Sequence, residues 1–582
     1  MILTPEYRPM YKYPLHWVEP IANLRDMTRY ACRTFADRPA FQIKPRRGEP
    51  YVPVSYADFG QHVDAFGAGL YDLGVRHNSR VAILAETRYE WYVSYLSVVN
   101  GEGIVVPLDK ELPVEELTSM LDRSETSVLI YSASLRDKAL AIAKQTASVR
   151  QLILMDYYKD EKKADPDREK AWTEVLTRGA QKLKAGDRSF IDCPIDVDEM
   201  RILLFTSGTT ARSKAVMHSH RTICTNLMAM SSMLYVGNDN TLSILPLHHT
   251  YECTCGFLCQ LYRGNTVFEC EGLRHITDNL KEGKITLILG VPLILEAFHK
   301  KIWQGIRKKG KEKTVRFALK LTALLRKMGI DLRRKVFADI HAGLGGHLRL
   351  LIAGGAAIDP QVLKDFNDFG ILAVQGYGLT ECGPILALNR DRLYKNTSAG
   401  LPLPGTEAEV FQPDENGIGE FRSRGPNVML GYYGDPELTA KTLRDGWFYT
   451  GDYGYITADN FLIITGRKKN MIVTKNGKNI FPEEIEAVLN RHPEIAESVV
   501  SGQEDKRGDL QIVVEIYPDE AELKAALHTD SYTATEAQAH MANLVKAFNA
   551  NQPIYKKIRQ VVLRDEPFAK NTSKKILREN HN

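Results

Sequence analysis

The sequence predicts a multidomain protein of the α/β class, and three observations lead to this prediction. The chain has 582 residues, more than a single hydrophobic core usually contains. Up to residue 467, apolar runs of strand length alternate with stretches whose apolar residues recur at helical spacing, a pattern typical of largely parallel sheets covered by helices. From residue 468 the pattern changes to a smaller unit. We therefore expect one domain over residues 1–467 and a second over 468–582.

The first elements alternate regularly. Residues 56–70 carry apolar side chains at helical spacing, and residues 89–103 form a second helical pattern. A third helix is expected to start between residues 109 and 117, with Pro113 in its first turn. The apolar runs between and after these segments predict buried strands at 81–86, 104–108, 127–132 and 149–156.

Composition and charge argue against several classes of protein. The net charge is +4, which is too small to indicate a nucleic-acid-binding surface. The N-terminal residues lack the apolar core of a signal peptide, and no apolar run reaches the length of a membrane span. We therefore expect a cytoplasmic protein that does not bind nucleic acid.

The cysteines do not predict a disulfide framework. Eight cysteines in 582 residues are unlike the dense pattern of small secreted domains, so we expect them to be reduced. Four lie between residues 253 and 270, near His248 and His249, which raises the question of a metal site. Their spacing lacks the paired C-x-x-C of structural zinc. Residues 251–262 are also apolar enough to form a buried helix in which cysteine acts as a small hydrophobic residue.

The stretch that points most directly to chemistry is residues 203–220. An apolar run, Leu203–Phe205, leads into five residues that combine four hydroxyl groups with a glycine. Backbone N–H groups and hydroxyls can converge on phosphate oxygens, with a lysine as a mobile positive charge, although a polar turn between two strands is the alternative. The order differs from the G-x-x-x-x-G-K-[ST] of a kinase or GTPase P-loop. The expected polyphosphate site comprises Thr206, Ser207, Gly208, Thr209, Thr210 and Lys214.

Later motifs carry further groups that suit a nucleotide. One strand ends in Gly354-Gly355-Ala356, where the backbone must pass close to another group. A second strand ends in Gly376-Tyr377-Gly378, which offers an aromatic face for a base. Thr380 and Glu381 follow, a hydroxyl for a phosphate and a hard oxygen ligand for Mg²⁺. Asp452, at a tight turn, could accept both hydroxyl groups of a ribose.

A hydrophobic substrate pocket is expected close to these motifs. His248 and His249 stand between a strand and an apolar helical segment, beside the phosphate loop in sequence. We assign both histidines, together with Gly354, to the mouth of this pocket.

Residues 300–335 form what we call the basic segment. It contains fourteen Lys or Arg residues against two acidic residues, Glu312 and Asp331, and apolar residues are interleaved with the charges. A solvated helical face is one interpretation. The other is a surface that contacts an anionic membrane peripherally and collects lipid from it.

The last part of the chain predicts a small α/β unit behind a charged joint, Arg467-Lys468-Lys469. Lys574 and Lys575 lie on a polar loop near the C-terminus. Strands are expected at 471–474, 498–502, 511–517 and 561–565, and helices at 482–490 and 533–549.

Taken together, these motifs resemble the adenylate-forming superfamily of acyl-CoA synthetases, luciferases and peptide-synthetase adenylation domains. Residues 206–214 are similar to the family's phosphate loop, and 376–381 to its adenine and magnesium motif. Residues 449–452 resemble its ribose motif, 466–486 its hinge region, and 572–578 its catalytic-lysine motif. The five motifs occur in the family's order, and the similarity covers most of the chain. LPLHHTYE, KIWQGIRKK and VTKNGKNIFPEEIE resemble most the bacterial long-chain fatty acyl-CoA synthetases.

The resemblance implies an architecture and a reaction. Residues 1–467 would hold two related α/β subdomains and a small β-barrel-like subdomain. A small mobile α+β domain would then turn about a hinge at Lys469. A fatty carboxylate, expected to be long-chain, would attack the α-phosphate of ATP, and coenzyme A would then displace AMP. ATP, Mg²⁺ and coenzyme A are the implied cofactor and co-substrates.

The resemblance also implies residue roles. Thr206, Ser207, Gly208, Thr209, Thr210 and Lys214 would hold the β- and γ-phosphates. Lys575 would bridge the carboxylate and the α-phosphate, where two anions must approach each other. Further nucleotide contacts are assigned to Glu381 (Mg²⁺), Tyr377 (adenine), Thr380 (α-phosphate), Asp452 and Arg467 (ribose), and Gly355, Ala356, Gly376 and Gly378.

The chain departs from the family pattern at four positions. Ala211 and Ala215 stand where the family commonly has glycine, which narrows the backbone freedom of the loop. Ala569 replaces a common proline, and Lys574 a common glycine. Lys574 is therefore a rival to Lys575, one position away.

Two alternatives to the fatty acid–CoA ligase remain open. The acceptor could be the phosphopantetheine thiol of an acyl carrier protein, which the basic segment would receive as readily as a membrane. A non-catalytic nucleotide- or lipid-binding relative belongs to another class. Retention of Glu381, Asp452, Arg467 and Lys575 argues against it. For the ligase, we expect a cytoplasmic enzyme with a peripheral contact at the inner face of the membrane.

Overall fold

The protein, described here from a computed structural model, divides into two compact units. The first consists of Met1–Ala408, Ser423–Phe448 and Ala458–Phe461. The second consists of Glu409–Arg422, Tyr449–Thr457 and Leu462–Asn582. The boundary expected at residues 467 and 468 lies within the second unit and stays a prediction. The structure describes residues 13–156, 168–206, 213–474, 478–504, 510–570 and 576–578.

The strands agree with the apolar runs of the sequence. In chain order they are β1 (Pro39–Ile43), β2 (Val52–Ser55), β3 (Arg80–Leu84), β4 (Ile104–Pro107), β5 (Val128–Tyr131), β6 (Gln151–Leu154), β7 (Glu169–Ala171), β8 (Met200–Thr206), β9 (Lys214–Ser219), β10 (Asn240–Ser243), β11 (Thr266–Glu269), β12 (Leu287–Gly290), β13 (Leu350–Ala353), β14 (Leu372–Gly378), β15 (Ile385–Leu388), β16 (Leu401–Pro402), β17 (Glu407–Phe411), β18 (Gly419–Arg424), β19 (Gly431–Tyr432), β20 (Leu443–Arg444), β21 (Trp447–Ile456), β22 (Leu462–Arg467), β23 (Ile472–Val473), β24 (Asn479–Ile480), β25 (Ile495–Glu504), β26 (Leu510–Pro518) and β27 (Ile558–Leu563).

The helices are α1 (Leu24–Thr34), α2 (Tyr56–Asp72), α3 (Tyr89–Val99), α4 (Val114–Arg123), α5 (Arg136–Gln145), α6 (Trp172–Lys184), α7 (His220–Met233), α8 (Cys259–Tyr262), α9 (Ile276–Glu282), α10 (Pro292–Lys308), α11 (Glu312–Lys327), α12 (Arg333–Val336), α13 (Ala338–Gly343), α14 (Pro360–Phe369), α15 (Pro436–Thr442), α16 (Pro482–Leu489), α17 (Glu520–Leu527) and α18 (Ala534–Ala550). A π-helical segment, Tyr251–Leu258, precedes α8. None of the helices among the described residues combines the length and the low charge needed to cross a bilayer.

Two sheets form the frame of the first unit. One has nine strands in the order β16-β15-β14-β13-β12-β10-β11-β1-β2, and the other has eight in the order β19-β9-β8-β4-β3-β5-β6-β7. Their central pairs are parallel, and the antiparallel pairs lie toward the edges. The central strands are continuous apolar runs because helices cover both faces of a parallel sheet. The predicted multidomain α/β class is confirmed.

Helix starts follow the local chemistry of the chain. Ser219 caps α7 by accepting a hydrogen bond from the N–H of Thr222, whose side chain bonds back to the backbone of Ser219. Proline occupies the first turn of α10, α14 and α16. Pro113, expected inside the first turn of a helix, is instead the residue before α4, which begins at Val114. An extended backbone at the cap position suits proline equally well.

The second unit has its own hydrophobic core. Strands β25, β26 and β27 form a three-stranded sheet, with β25 and β26 antiparallel and β26 and β27 parallel. The core of this unit contains Ile485, Val514, Met541 and Ile558, all buried. This arrangement agrees with the expected small α+β unit. Helix α17 was not among the expected elements.

The remaining larger sheet corresponds to the barrel-like subdomain of the expectation. Its order is β17-β18-β21-β20, with β22 paired to β21. Among the strands in the described ranges, no pair joins its two edges. The sheet is therefore open rather than a closed barrel.

Candidate functional site

The stem of the predicted phosphate loop is a strand pair. Strands β8 and β9 are antiparallel, and Thr206 lies opposite Lys214 at the last pair of the register. This pairing brings the two ends of the loop together, which is what a compact anion-binding turn requires. Ser207, Gly208, Thr209 and Thr210 lie outside the described residues, so their assignment stays a prediction.

Lys214 and Glu381 meet at one side chain, Tyr432. The Nζ atom of Lys214 lies 5.2 Å from the centroid of the Tyr432 ring. The Tyr432 hydroxyl donates a hydrogen bond of 2.8 Å to Oε1 of Glu381. Burial, and then the Glu381 carboxylate, raise the pKa of Tyr432, so its hydroxyl keeps its proton. A cation from the phosphate-loop stem and the predicted Mg²⁺ ligand thus both contact one phenol.

Strand pairing explains how Tyr432 reaches this position. It lies in β19, which pairs with β9 and places Tyr432 opposite Val216. The N–H of Met429 also donates to the carbonyl of Glu381 at 2.8 Å. Sequence reasoning missed Tyr432, although its position in a short Gly-Tyr-Tyr run was visible.

The segment that carries Thr380 and Glu381 is a tight turn at the end of β14. Gly378 is required there, because a Cβ atom would lie 1.9 Å from the carbonyl oxygen of Pro384. Thr380–Cys382 form a single 3₁₀ turn, and Gly383 ends it with φ +74°. Tyr377 is buried in β14, opposite Ala387. This close packing fixes the direction in which the Glu381 side chain leaves the backbone.

Two buried side chains hold Thr380 in place. Nε2 of His218 lies 2.7 Å from the carbonyl oxygen of Thr380, and because a carbonyl only accepts, this nitrogen carries the proton. Burial lowers the pKa of His218 to about 4, so the imidazole is neutral at physiological pH. The Thr250 hydroxyl lies 3.3 Å from that of Thr380.

Two buried amides fix the rest of this turn. The side-chain amide of Asn226 donates to the carbonyl of Cys382 at 3.1 Å and to that of Ile385 at 2.7 Å. The amide of Asn427 donates to the same two carbonyls at 3.3 and 3.2 Å. Sequence reasoning missed these positioning residues, because their partners are far away in the chain.

Gly354, Gly355 and Ala356 follow β13, whose neighbour in the sheet is β14. Because the two strands are parallel, their carboxyl ends open on the same edge of the sheet, where ligands of α/β proteins usually bind. Gly354 packs against the ring of Tyr251, to which a Cβ atom would come within 2.7 Å. Gly355 has φ +82°, and Gly355 and Ala356 are exposed. The close approach expected of this run is thus to Tyr251.

His248 and His249 lie at the entrance to the π-helical segment. Their rings are 4.2 Å apart between centroids and inclined by 49°. Nε2 of His248 lies 3.5 Å from Oδ2 of Asp109, and both side chains are largely buried. The predicted pocket mouth therefore has an acidic residue at its edge. Sequence reasoning did not single out Asp109 as a site residue.

The π-helical segment contains a buried acid. Glu252 accepts a hydrogen bond of 2.6 Å from the Ser243 hydroxyl. Burial raises the pKa of Glu252 to about 8, so the side chain is mostly protonated at neutral pH. Gly256 is needed beside it, because a Cβ atom there would lie 2.6 Å from the carboxyl carbon. This segment was expected to be a buried helix, and it is a buried helix of the wider π type.

The cysteines of this region are thiols packed in the core. Cys253, Cys255 and Cys259 are buried, and burial raises the pKa of Cys253 to about 12. All eight cysteines are free. Within the described ranges, no group of three or more His, Cys, Asp or Glu side chains is placed to hold a metal ion. For Mg²⁺, Glu381 would supply one protein oxygen, as is usual for Mg²⁺ bound through substrate phosphates.

In the second unit, Asp452 and Arg467 lie opposite each other in the register of β21 and β22. Nε of Arg467 is 3.0 Å from Oδ1 of Asp452, and the carboxylate is buried while the guanidinium is about half exposed. The tight turn expected at Asp452 is not present, because Asp452 lies inside β21 and Gly451, with φ +71°, directly precedes it in the same strand. The two residues predicted to bind a ribose are therefore already paired.

Glu420 connects this part of β21 to the predicted hinge. It accepts a hydrogen bond of 3.1 Å from the N–H of Gly451 and one of 2.7 Å from Nζ of Lys468. Glu420 is buried. Burial, and then the charges of Arg467 and Arg578, lower the pKa of Lys469. Sequence reasoning missed Glu420, whose neighbours become visible only when the strands are paired.

Lys575 and its rival Lys574 lie outside the described residues, so the choice between them stays a prediction. Lys570 and Ile576, the described residues on either side, form an antiparallel bridge. The N–H of Leu577 donates to the carbonyl of Ala569 at 2.8 Å.

Comparisons with known proteins identify the family of the chain. Residues 28–433 match the family model described as AMP-binding enzyme. The chain is 27% identical to a chloroplastic long-chain-fatty-acid–[acyl-carrier-protein] ligase of Arabidopsis thaliana, with 83% of this chain and 75% of the relative covered. It is also 27% identical to a long-chain-fatty-acid–CoA ligase of Mycobacterium tuberculosis, with 78% and 76% covered.

Solved structures share the fold. The anthranilate CoA ligase AuaEII, in complex with anthranoyl-AMP, superposes with a TM-score of 0.74 at 18% identity, over 97% of each chain. ATP-bound MatB from Rhodopseudomonas palustris gives a TM-score of 0.71 at 23% identity, over 95% of this chain and 97% of that one. Because the family model matches more than half of this chain, the chain belongs to the AMP-binding enzyme family. Within that family it is an AMP-forming acid–thiol ligase.

Proposed function

We propose that the protein activates a long-chain fatty carboxylate with ATP and transfers the acyl group to coenzyme A, releasing AMP and pyrophosphate. In the first step a carboxylate oxygen attacks the α-phosphorus, and the bond to the bridging oxygen breaks, so pyrophosphate leaves with the electron pair. In the second step the sulfur of coenzyme A attacks the acyl carbon. The bond from that carbon to the AMP oxygen then breaks, and AMP leaves.

The observation that most supports this proposal is the convergence of Lys214 and Glu381 on Tyr432. The residues come from two motifs that lie far apart in the chain, yet each contacts the same phenol. Lys214 would hold the β- and γ-phosphates with the hydroxyls of the loop. Bound Mg²⁺ would offset negative charge on the phosphates, with Glu381 as its protein ligand. Tyr432 keeps the carboxylate oriented.

The other residues of the proposed site have complementary roles. Thr380 would contact the α-phosphate, and the hydrogen bond from His218 to the Thr380 carbonyl would keep Thr380 in position. Tyr377, with Gly376, Gly378, Gly355 and Ala356, would surround the adenine. Asp452 would accept the ribose hydroxyls, and its ion pair with Arg467 would keep the carboxylate oriented. Lys575 would neutralise both reacting anions, and Lys469 would be the hinge of a domain spanning 468–582.

Support for a fatty acid comes from the relatives and from local composition. Two of the relatives named above are ligases of long-chain fatty acids. The segment after His248 and His249 is buried and mostly apolar, which suits an acyl chain. We assign Gly354 to the same pocket, since it packs on Tyr251 of this segment.

The acceptor has a second candidate, the phosphopantetheine thiol of an acyl carrier protein. The relative from Arabidopsis thaliana carries that acceptor in its name. The basic segment, 300–335, has a net charge of +12 in a chain of net +4, and it would attract an acidic carrier. It would equally attract an anionic membrane, and we propose a cytoplasmic enzyme with peripheral contact at the inner membrane face.

The proposal is tested by measuring pyrophosphate release from ATP and Mg²⁺ with acids of increasing chain length, with and without coenzyme A. We expect long-chain acids to trigger release and coenzyme A to yield the thioester. In Lys575→Ala, adenylation should fall by roughly two to three orders of magnitude, about 3–4 kcal/mol, because a charge at the reacting centre is lost. Lys574→Ala is the matched control and should retain most of the activity.

Each contrary result has a distinct meaning. Full loss in Lys574→Ala with activity in Lys575→Ala would reassign the catalytic lysine. Acid-dependent pyrophosphate release with no thioester from coenzyme A would favour the carrier-protein acceptor. If no acid triggers release from the purified protein, the catalytic proposal is wrong and a non-catalytic relative remains.

A further inference from the structure

The most concentrated exposed apolar surface lies in the basic segment. Six of the nineteen exposed large hydrophobic side chains in the described ranges fall in this segment, between Phe317 and Leu332. Soluble proteins rarely expose contiguous apolar patches without a partner. The relevant element is α11, Glu312–Lys327, in which Thr322 is the one buried residue.

Four of these side chains form what we call the apolar stripe, Phe317, Leu321, Leu324 and Met328. Their spacings of four, three and four residues place them on one line along the helix. They are exposed by 67%, 44%, 57% and 68%, respectively. The line continues past the helix end at Lys327, and exposed Ile330 follows it in the chain.

The opposite face of α11 is the one that packs on the protein. Val315, Ala318 and Leu319 contact a small cluster built around Trp303 and Phe337. At 100° per residue, Thr322 lies about 140° from Phe317, so the buried face and the apolar stripe point in nearly opposite directions. The apolar stripe is therefore not the face by which α11 packs against the rest of the protein. Its exposure is a consequence of how α11 docks.

Positive charge runs beside the stripe. Lys313, Lys320 and Lys327 recur every seven residues, which places them along one edge of the stripe. All three are exposed. A helix with a bulky apolar line and a basic edge is the pattern of interfacial helices, in which apolar side chains enter the acyl boundary while lysines contact anionic headgroups.

We propose that the apolar stripe of α11 inserts into the surface of an anionic membrane and is the part of the basic segment that docks there. This inference rests on the proposed function in one respect, since a bilayer is where long-chain acids collect. An acidic carrier protein would account for the lysines, but it would leave Phe317, Leu324 and Met328 without an apolar partner. The apolar stripe therefore favours the membrane over the carrier.

The test is co-sedimentation of the full-length protein with vesicles of phosphatidylcholine alone or with 30% phosphatidylglycerol, at about 0.1 M and 0.5 M salt. We expect wild type to bind the anionic vesicles and to be largely released by the higher salt. A double variant, Phe317→Gln with Leu324→Gln, should bind at least about tenfold more weakly, because it loses two inserted side chains. Its control is Leu273→Gln with Ile554→Gln, at two exposed apolar positions elsewhere.

The lysine edge is tested separately. Replacing Lys313, Lys320 and Lys327 by Gln should weaken binding to anionic vesicles about a hundredfold, since each lysine near an anionic surface contributes about fivefold. The control changes Lys184, Lys281 and Lys546 to Gln, exposed positions with the same total change in charge. Both controls should bind as wild type does.

Turnover of aqueous octanoate separates this inference from the proposed function. We expect the stripe and lysine variants to keep it while losing activity on vesicle-embedded palmitate. If the wild-type protein turns over neither octanoate nor palmitate but binds vesicles as expected, the proposed function is wrong and the membrane-docking inference is still supported. Unchanged vesicle binding in the stripe variant would overturn the membrane surface. Loss of acyl transfer to a purified acyl carrier protein, with vesicle binding unchanged, would identify the stripe as a carrier-docking surface instead.

Discussion

Tyr432 illustrates how one hydroxyl group can organise a charged site. Its O–H donates to Glu381, and its ring faces the Lys214 ammonium. Removing the hydroxyl leaves the ring in place but frees the carboxylate to rotate. A hydrogen bond to a charged group contributes about 1.5–3 kcal/mol. Tyr432 therefore acts as a positioning residue for the proposed Mg²⁺ ligand.

We expect Tyr432→Phe to reduce kcat/KM for acid-dependent pyrophosphate release by roughly tenfold to a hundredfold and to raise the Mg²⁺ concentration needed for half-maximal rate. Tyr433→Phe is a matched control, because its hydroxyl contacts Arg80 and not Glu381. A Tyr432→Phe enzyme with an unchanged Mg²⁺ requirement would contradict this role. The measurement is a Mg²⁺ titration at saturating ATP.

His218 makes a prediction about pH. Its pKa is lowered from 6.5 to about 4 by burial. Between those pH values the unfolded chain takes up a proton that the folded protein does not bind. The contribution of neutral His218 to the free energy of unfolding is therefore fully present above pH 6.5. It is lost as the pH falls toward 4, by up to about 1.4 kcal/mol per pH unit.

We expect His218→Gln to show a shallower loss of thermal stability than wild type between pH 6.5 and pH 4.5, measured as the unfolding midpoint. Glutamine removes the titration and can still donate to the Thr380 carbonyl. His347→Gln, at an exposed histidine, is the control and should follow wild type. Parallel pH profiles of wild type and His218→Gln would show that His218 titrates at its ordinary pKa in the folded protein.

At the scale of elements, strands and helices were predictable where local chemistry decides them. The runs that became β3, β4 and β5 are buried throughout almost their whole length, so their apolar composition identified them. The π-helical segment was predicted only as a buried helix, because its side-chain pattern is apolar on all sides. Apolar content of that kind gives no information on the width of the helix.

The contacts of the site were less predictable than its motifs. Gly378 and Glu381 belong to a motif that the sequence contains in one piece. His218 and Tyr432 reach this segment through a register that pairs β9 with both β8 and β19, and Asn226 reaches it from α7. A single sequence offers no signal for such long-range pairing. The residues of the motifs were therefore identifiable, and the residues that position them were not.

Glu420 carries the prediction that belongs to this scale, because it joins three strands of one sheet. It lies in β18, bonds the N–H of Gly451 in β21, and pairs with Lys468 just after β22. Glu420→Ala should raise the KM for ATP about tenfold, since the N–H of Gly451, next to Asp452, loses its acceptor. Glu420→Gln can still accept from Gly451 and should have a smaller effect.

Comparing the two Glu420 variants separates the hydrogen bond from the ion pair. Glu409→Gln, which alters a partly exposed acid paired with Arg422 in the same sheet, should leave the KM for ATP unchanged. Equal values for Glu420→Ala and Glu420→Gln would assign the effect to the ion pair with Lys468 instead of the hydrogen bond from Gly451. The measurement is ATP saturation of pyrophosphate release.

At the scale of the whole molecule, the question is where an independent domain begins. The sequence pattern and the family resemblance place the boundary at residue 468. The second compact unit also includes Glu409–Arg422 and Tyr449–Thr457. Its hydrophobic core, however, draws its buried residues from Ile480 to Ile558, entirely beyond the predicted boundary.

We therefore expect a fragment of residues 468–582 to fold by itself, with a cooperative thermal transition followed by far-ultraviolet circular dichroism. A core supplied from within the fragment is what independent folding requires. Val514→Ala, at a fully buried position of β26, should destabilise the fragment by about 1–3 kcal/mol, whereas Val488→Ala, at an exposed helical position, should change it by less than about 0.5 kcal/mol. A fragment without a cooperative transition would show that the earlier strands are needed for folding, and would place the domain boundary before β21.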